Sequence, residues 1–339
     1  MRLLTVAVPT AVGTSTRIGV ERPQGIVDLT TAYAVYLRRD RGVTAATDLA
    51  AAMVPPDMLN LIRNGEVGLD AARHALEFAD REFQKGNDLD GPDNAKGVHP
   101  AGSVRVLAPV PRPNTIRDFI TFRKHIENSS KLMGLTEIPK IWFELPVYYK
   151  GNPDMVAGPG DPILWPSYTE RLDYELEFGA FIGRPGKNLR AKDATRHMFG
   201  YTIFNDVSAR DMQGREMSLK LGPAKGKDFE NSNVMGPCLV TADELTQPHN
   251  LTLTARINGE VWSHGNSSDM QYTFEDMIQH VSQDETVMPG DFFGSGTVGG
   301  GCGLELDRWI KVGDVIELEV EGIGILRNTV ERAPQNRKS

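Results

Sequence analysis

Asp173-Tyr174-Glu175-Leu176-Glu177-Phe178 puts a carboxylate at every second residue. On a β-strand successive side chains point to opposite faces, so Asp173, Glu175 and Glu177 share one face. Tyr174, Leu176 and Phe178 then share the other. On an open face such acids are ordinary solvated polarity. On an enclosed face they must protonate or gather a cation. Two more acids stand where a site would recruit them. Tyr201-Thr-Ile-Phe-Asn205-Asp206 is an apolar run ending in an acid beside a turn, and Asp118 precedes a helical stretch. The candidate metal ligands at this point are the acids of the 173–177 face together with Asp206 and Asp118. All are oxygen donors, and no His or Cys falls among them at ligand spacing. Hard oxygen ligands favour Mg²⁺, Ca²⁺ or Mn²⁺ over Zn²⁺. Open coordination positions would suit a chelating substrate.

Of the seven histidines, His125 alone lies close to this set, seven residues after Asp118 among Arg123, Lys124, Glu127 and Asn128. It is the candidate general base. Lys227, in a Gly-rich loop, is a candidate partner for a developing oxyanion. Two Gly-rich motifs fail on context. Gly294-Ser-Gly296-Thr-Val-Gly299 matches the dinucleotide fingerprint by letter, but glycines and then strands follow it where a helix must open. Gly222-Pro-Ala-Lys-Gly226-Lys227-Asp228 is one residue short of a phosphate-binding loop and has Asp where Ser or Thr must stand.

The elements that must position these groups are mainly strands. Residues 1–30 alternate short apolar stretches with Gly, Pro and Thr, a small β-meander. Leu69, Ala72, Leu76, Ala79 and Phe83 mark a helix closed by Gly86, and Pro55-Pro56-Asp57 opens a separate short one. Residues 87–103 are dense in Gly, Asp, Asn and Pro and are expected as a linker. Residues 1–103 with that linker form a smaller α+β domain, and 104–335 form the site-bearing one. Strands dominate the second half without regular βα alternation, which argues against a doubly wound parallel sheet. Residues 130–140, around Gly134, are expected as a lid.

The chain has 339 residues, with 37 Lys and Arg against 45 Asp and Glu, a net charge of −8. That balance opposes nucleic acid or an anionic membrane as partner. No apolar run approaches the roughly 20 residues of a membrane helix. Cys238 and Cys302 are too few for a disulfide framework and are expected as free thiols without a catalytic role. The expected setting is the cytoplasm.

Taken together, Asp118-Phe-x-x-x-Arg123-x-His125, Asp173-Tyr-Glu175-Leu-Glu177, Asn205-Asp206-x-Ser208-Ala209-Arg210-Asp211-x-Gln213 and Leu221-Gly-Pro-x-x-Gly226-Lys227-x-Phe229 resemble the fumarylacetoacetate hydrolase family. Gly294-Ser-Gly-Thr and Gly313-Asp314-Val315 fit the same pattern. The resemblance implies a mixed β-roll or β-sandwich catalytic domain, mainly β, behind the smaller α+β domain, and a homodimer. It implies Mg²⁺, Ca²⁺ or Mn²⁺ at Asp118, Glu175, Glu177 and Asp206, with His125 as base. It puts Gln213 and Lys227 at the reacting carbonyl, and Tyr149, Arg123 and Thr297 on the substrate. The founders' acid partner of the base belongs to a loop corresponding to 297–303, which holds no acid here. The founders' substrate-carboxylate Arg has no evident counterpart, and Met217 stands at a tyrosine position. The activity implied is metal-dependent hydrolysis of a C–C bond in a β-diketo acid or acylpyruvate, a small-molecule keto acid. A decarboxylase, hydratase or isomerase on the same site is the alternative, and a non-catalytic keto-acid or metal-binding module the third reading.

Overall fold

The computed structural model describes residues 1–333 except Asp93, Asn94, Met133 and Leu135. The last two fall inside the expected lid and lie outside the described residues. The chain is a mixed fold with 29% helix and 33% strand, mainly β with helices around it.

The large sheet has 12 strands. Its spine runs from the N-terminal meander (Arg2–Thr10, Gly13–Arg22, Gly25–Asp28) through Asn233–Thr241, Met198–Asp206, Leu176–Ile182, Asp291–Gly294 and Thr115–Phe119 to Tyr148–Gly151. The first strand pairs antiparallel with Asn233–Thr241, Arg2 opposite Val240, so both halves of the chain share one sheet. The stretch expected as a linker carries the strand Val98–His99, paired to Gly25–Asp28, and a buried Leu89.

Helices Leu29–Arg39, Ala46–Met53 and Met58–Gln84 cover one face of this sheet. The two helices expected around 57–86 follow one another within Met58–Gln84, separated at Gly65, whose backbone is not helical. Asp57 caps the start of the first by accepting from Asn60 N at 2.9 Å, and the break between them falls at Gly65, φ 57°, ψ −139°. Their apolar side chains form a core with Ile116, Phe181, Phe204 and Phe292 of the sheet. The opposite face packs on a five-stranded sheet and the helix Phe274–Val281, through Phe178, Ala180, Ile203 and Phe293.

This layering decides where the acids go. Ile116 and Asp118 share a face by strand alternation, as do Phe204 and Asp206, and Phe181 and Glu177. Each row faces the helical core along its length and ends in an acid. Across the rows Asp118 stands opposite Gly294 on one side and Tyr149 on the other.

Candidate metal centre and its base

Ligand atoms of Asp118, Glu175, Glu177 and Asp206 all lie within 4.8 Å of one another, and all four residues are buried. The glycines of 294–299 make this possible. A Cβ on Gly294 would meet Asp118 Oδ1 at 2.3 Å, and one on Gly296, φ +78°, would meet Phe119 O at 2.3 Å. The Gly296 amide is thereby free to donate to Glu177 Oε2 (3.1 Å) and Asp118 Oδ1 (3.3 Å), and the Thr297 hydroxyl donates to Glu177 Oε1 at 3.1 Å. The motif that mimics a dinucleotide fingerprint thus cradles carboxylates.

Asp173 does not join the cluster, contrary to the alternation expected for 173–177. The strand breaks after Asp173 and resumes at Leu176. Asp173 instead accepts from Arg210 Nε at 2.8 Å and from the Gly303 and Leu304 amides at 2.7 and 3.0 Å. Arg210 also pairs with Glu175 at 2.8 Å. Both faces of Leu176–Ile182 are buried, so a solvated acidic face is excluded.

Charge in the floor does not balance. Lys227 Nζ donates to Glu175 Oε2 at 2.8 Å and Asp206 Oδ2 at 2.5 Å. With Arg210 it makes two buried cations against five buried carboxylates. Burial and neighbouring carboxylates push Asp118 and Glu177 well above the usual carboxylate range, and the two share a hydrogen bond. Burial also raises Asp206, against the pull of Lys227. Glu175 goes the other way: burial works against its ionisation, but Lys227 and Arg210 outweigh that. Burial alone would lower Lys227, yet Asp206 and Glu175 hold it charged. An enclosed oxygen cluster with surplus negative charge fits a hard divalent cation.

Above the floor stands His125, on the helix Arg123–Leu132. Its Nδ1 is 2.6 Å from Glu305 Oε1. Glu305 Oε2 accepts from Asn128 at 2.6 Å and from the Gly300 amide at 2.9 Å, and Cys302 Sγ lies 3.4 Å from Oε1. Burial opposes ionisation of Glu305, but His125 and Asn128 hold its carboxyl below the usual range. The candidate base therefore has an acid partner, which sequence reasoning missed. Glu305 lies two residues past the searched loop, and the short helix Gly303–Leu306 brings it back. The signal was the first acid after a run of glycines.

One cleft of about 840 Å³ joins these groups, lined by Asp118, His125, Tyr149, Glu175, Glu177, Gln213, Lys227 and Thr297 among others. Tyr149 donates to Asp206 Oδ1 at 2.7 Å, and burial beside the acids holds its phenol well above the ordinary range. Gln213 accepts from Arg210 at 3.1 Å, which leaves its NH₂ end as a donor. Arg123 is not brought in: it pairs with Glu127 at 2.8 Å on its own helix and is exposed. Cys238 and Cys302 are buried free thiols.

A family model described as fumarylacetoacetate (FAA) hydrolase C-terminal matches residues 114–331, and the chain belongs to that family. It is 32% identical over 279 residues to a mitochondrial oxaloacetate tautomerase of Homo sapiens, covering 82% of this chain and 80% of that protein. Similarity to an oxaloacetate tautomerase of Bacillus subtilis is 31% over 280 residues, covering 82% and 87%. Among solved structures, the fumarylacetoacetate hydrolase of Exiguobacterium antarcticum superimposes with a TM-score of 0.69 at 25% identity, over 98% of this chain and 100% of that one. No helix among the described residues is long and apolar enough to cross a membrane.

Proposed function

We propose that this chain interconverts the keto and enol forms of a short α-keto acid of the oxaloacetate class. The reading is carried by one observation: three carboxylates of a four-carboxylate cluster and a carboxylate-backed imidazole line the same cleft. It is supported by the tautomerase activity named for relatives at 31–32% identity. Asp118, Glu175, Glu177 and Asp206 would hold Mg²⁺, Ca²⁺ or Mn²⁺. Bound there, the ion supplies Lewis acidity toward the carboxylate and keto oxygens of the substrate.

The chain's own groups do the rest. Glu305, ionised, keeps a proton on His125 Nδ1 and leaves Nε2 as the acceptor. Nε2 takes a proton from the carbon beside the keto group and returns it to carbon or oxygen, according to direction. The Lys227 ammonium and the Gln213 NH₂ stabilise charge developing on oxygen, a role in which one donor is worth roughly 3–4 kcal/mol. Thr297 and Tyr149 hold Glu177 and Asp206 in place.

Hydrolysis of a C–C bond is the second reading, favoured by the His125–Glu305 pair, which suits activation of water equally well. Product analysis separates the two. Added to enol-oxaloacetate in D₂O, a tautomerase speeds enol decay and labels the carbon between the carbonyls without cleavage. A hydrolase yields two acids. Absence of any enol acceleration with Mg²⁺ or Mn²⁺ present sinks the first reading, and acylpyruvates then test the second. We carry the homodimer and the cytoplasmic setting as proposals too; a monomer mass by light scattering rejects the former.

A further inference from the structure

Charge is distributed unevenly along the cleft. The acids that line it, Asp118, Glu175 and Glu177, are buried, whereas Lys150 and Lys220, also in its lining, are exposed. Other nearby cations are committed: Lys227 to Glu175 and Asp206, Arg210 to Asp173 and Glu175, Arg123 to Glu127. Among the described residues neither Lys150 nor Lys220 pairs with a carboxylate. A cation-binding floor and unpaired ammonium groups further out match a ligand that chelates at one end and is anionic at the other.

Lys220 is the better placed of the two. Lys150 sits in the strand Tyr148–Gly151 and also borders a smaller depression lined by Asp228, which offers its charge a local acid. Lys220 sits on a flap, residues 217–223, between the helix Arg210–Met217 and the return to Lys227. One side chain ties the base of that flap. The Glu216 carboxylate accepts from the Ala224, Lys225 and Gly226 amides at 3.0, 2.7 and 3.0 Å. The flap tip stands out, with Leu219 78% and Leu221 87% exposed. Lys220 itself holds φ 61°, a left-handed backbone that glycine adopts freely and lysine does not.

We propose that Lys220 reads the distal carboxylate of an α-keto dicarboxylate and so sets preference over α-keto acids with an apolar tail. The proposal rests on the α-keto acid reading of the cleft but not on which reaction follows.

Two ligands isolate the contact: oxaloacetate and 2-oxobutyrate share the α-keto acid head and differ by a carboxylate in place of a methyl. Calorimetric affinities for both are measured on Mn²⁺-loaded full-length protein, wild type and Lys220→Met, before any turnover assay. Wild type should prefer oxaloacetate, and Lys220→Met should erase about tenfold of that preference while leaving 2-oxobutyrate unchanged, as loss of one charge-assisted contact predicts. Lys220→Arg should restore it. Three results overturn the assignment: no preference in wild type, equal loss for both ligands in Lys220→Met, or the preference lost in Lys150→Met and kept in Lys220→Met. If wild type shows the preference yet fails to speed enol decay, the tautomerase reading falls and this one stands.

Discussion

Asp28 and Asp118 are both buried acids near strand ends, one in the N-terminal layer and one in the cleft floor, and they are treated in opposite ways. Asp28 accepts from the Thr31 amide at 2.9 Å, starting the helix Leu29–Arg39, and pairs with Arg17 at 3.1 Å. Its charge is closed locally by a helix start and a cation. Asp118 faces Glu177, Glu175 and Asp206, with a single buried lysine nearby. In the first region burial of an acid stabilises the fold. In the second, burial leaves carboxylates in excess, a charge that a bound cation would offset. Surplus buried charge, not buried charge as such, marks the functional region.

The sharpest break of that comparison is loss of an anionic ligand. Glu175→Gln or Asp206→Asn should weaken divalent-ion binding by calorimetry and take activity to the assay floor. Chelation should lower the melting temperature of the loaded protein, by the equivalent of about 2.7 kcal/mol where the ion stood at a hundredfold excess over Kd. Full activity after thorough demetallation would sink the cation reading.

His125→Ala comes next. Turnover should slow by roughly 10²–10⁴-fold, the usual worth of a positioned base, with KM little changed. Ion affinity should stay near wild type, because the imidazole bonds to Glu305 and not to the four carboxylates. Glu305→Gln should cost less than His125→Ala, since it leaves the imidazole and removes only its orientation. If the mutant lost its ion, the two sites would not be separate.

A stability effect of opposite sign sharpens the contrast. Asp118→Asn can still accept from Gly296 and donate to Glu177, while removing one surplus charge. The ion-free protein should gain stability at neutral pH, by about 1–2 kcal/mol, while ion affinity falls. The pH dependence follows. Asp118 and Glu177 are raised, so their contribution is present when protonated and is lost as pH climbs above the ordinary carboxylate range. Ion-free wild type should therefore melt lower at pH 7 than at pH 5, Asp118→Asn should flatten that slope, and saturating Mn²⁺ should abolish it. An ion-free wild type with no such slope would contradict the surplus-charge account.

Smallest of all is the counterpart in the other region. Asp28→Ala should cost about 1–2 kcal/mol of stability through the lost cap. Activity of the folded fraction should be unchanged. Reduced turnover at full folding would mean the N-terminal layer reaches the site.

Much of this was legible in the chain itself. Residue types along short apolar runs mark Asp118, Glu175, Glu177 and Asp206 as oxygen donors, because an acid ending an apolar run has few bland uses. Strand periods and Gly-rich turns give the mainly β class, and the spacing of four motifs gives the family. What stayed illegible depends on contacts between distant segments. Asp173 follows the same alternation as Glu175, and only the break before Leu176 turns it toward Arg210. Glu305 lies 180 residues from His125, and nothing local in either predicts their 2.6 Å contact. The meander and the strands that carry the carboxylates merge because Arg2 pairs with Val240, a register that no short-range pattern encodes. Sequence by itself determined which chemical groups are present and the period of the elements carrying them. Tertiary structure alone decided which carboxylates are left in excess, because that depends on which cations reach each one after burial.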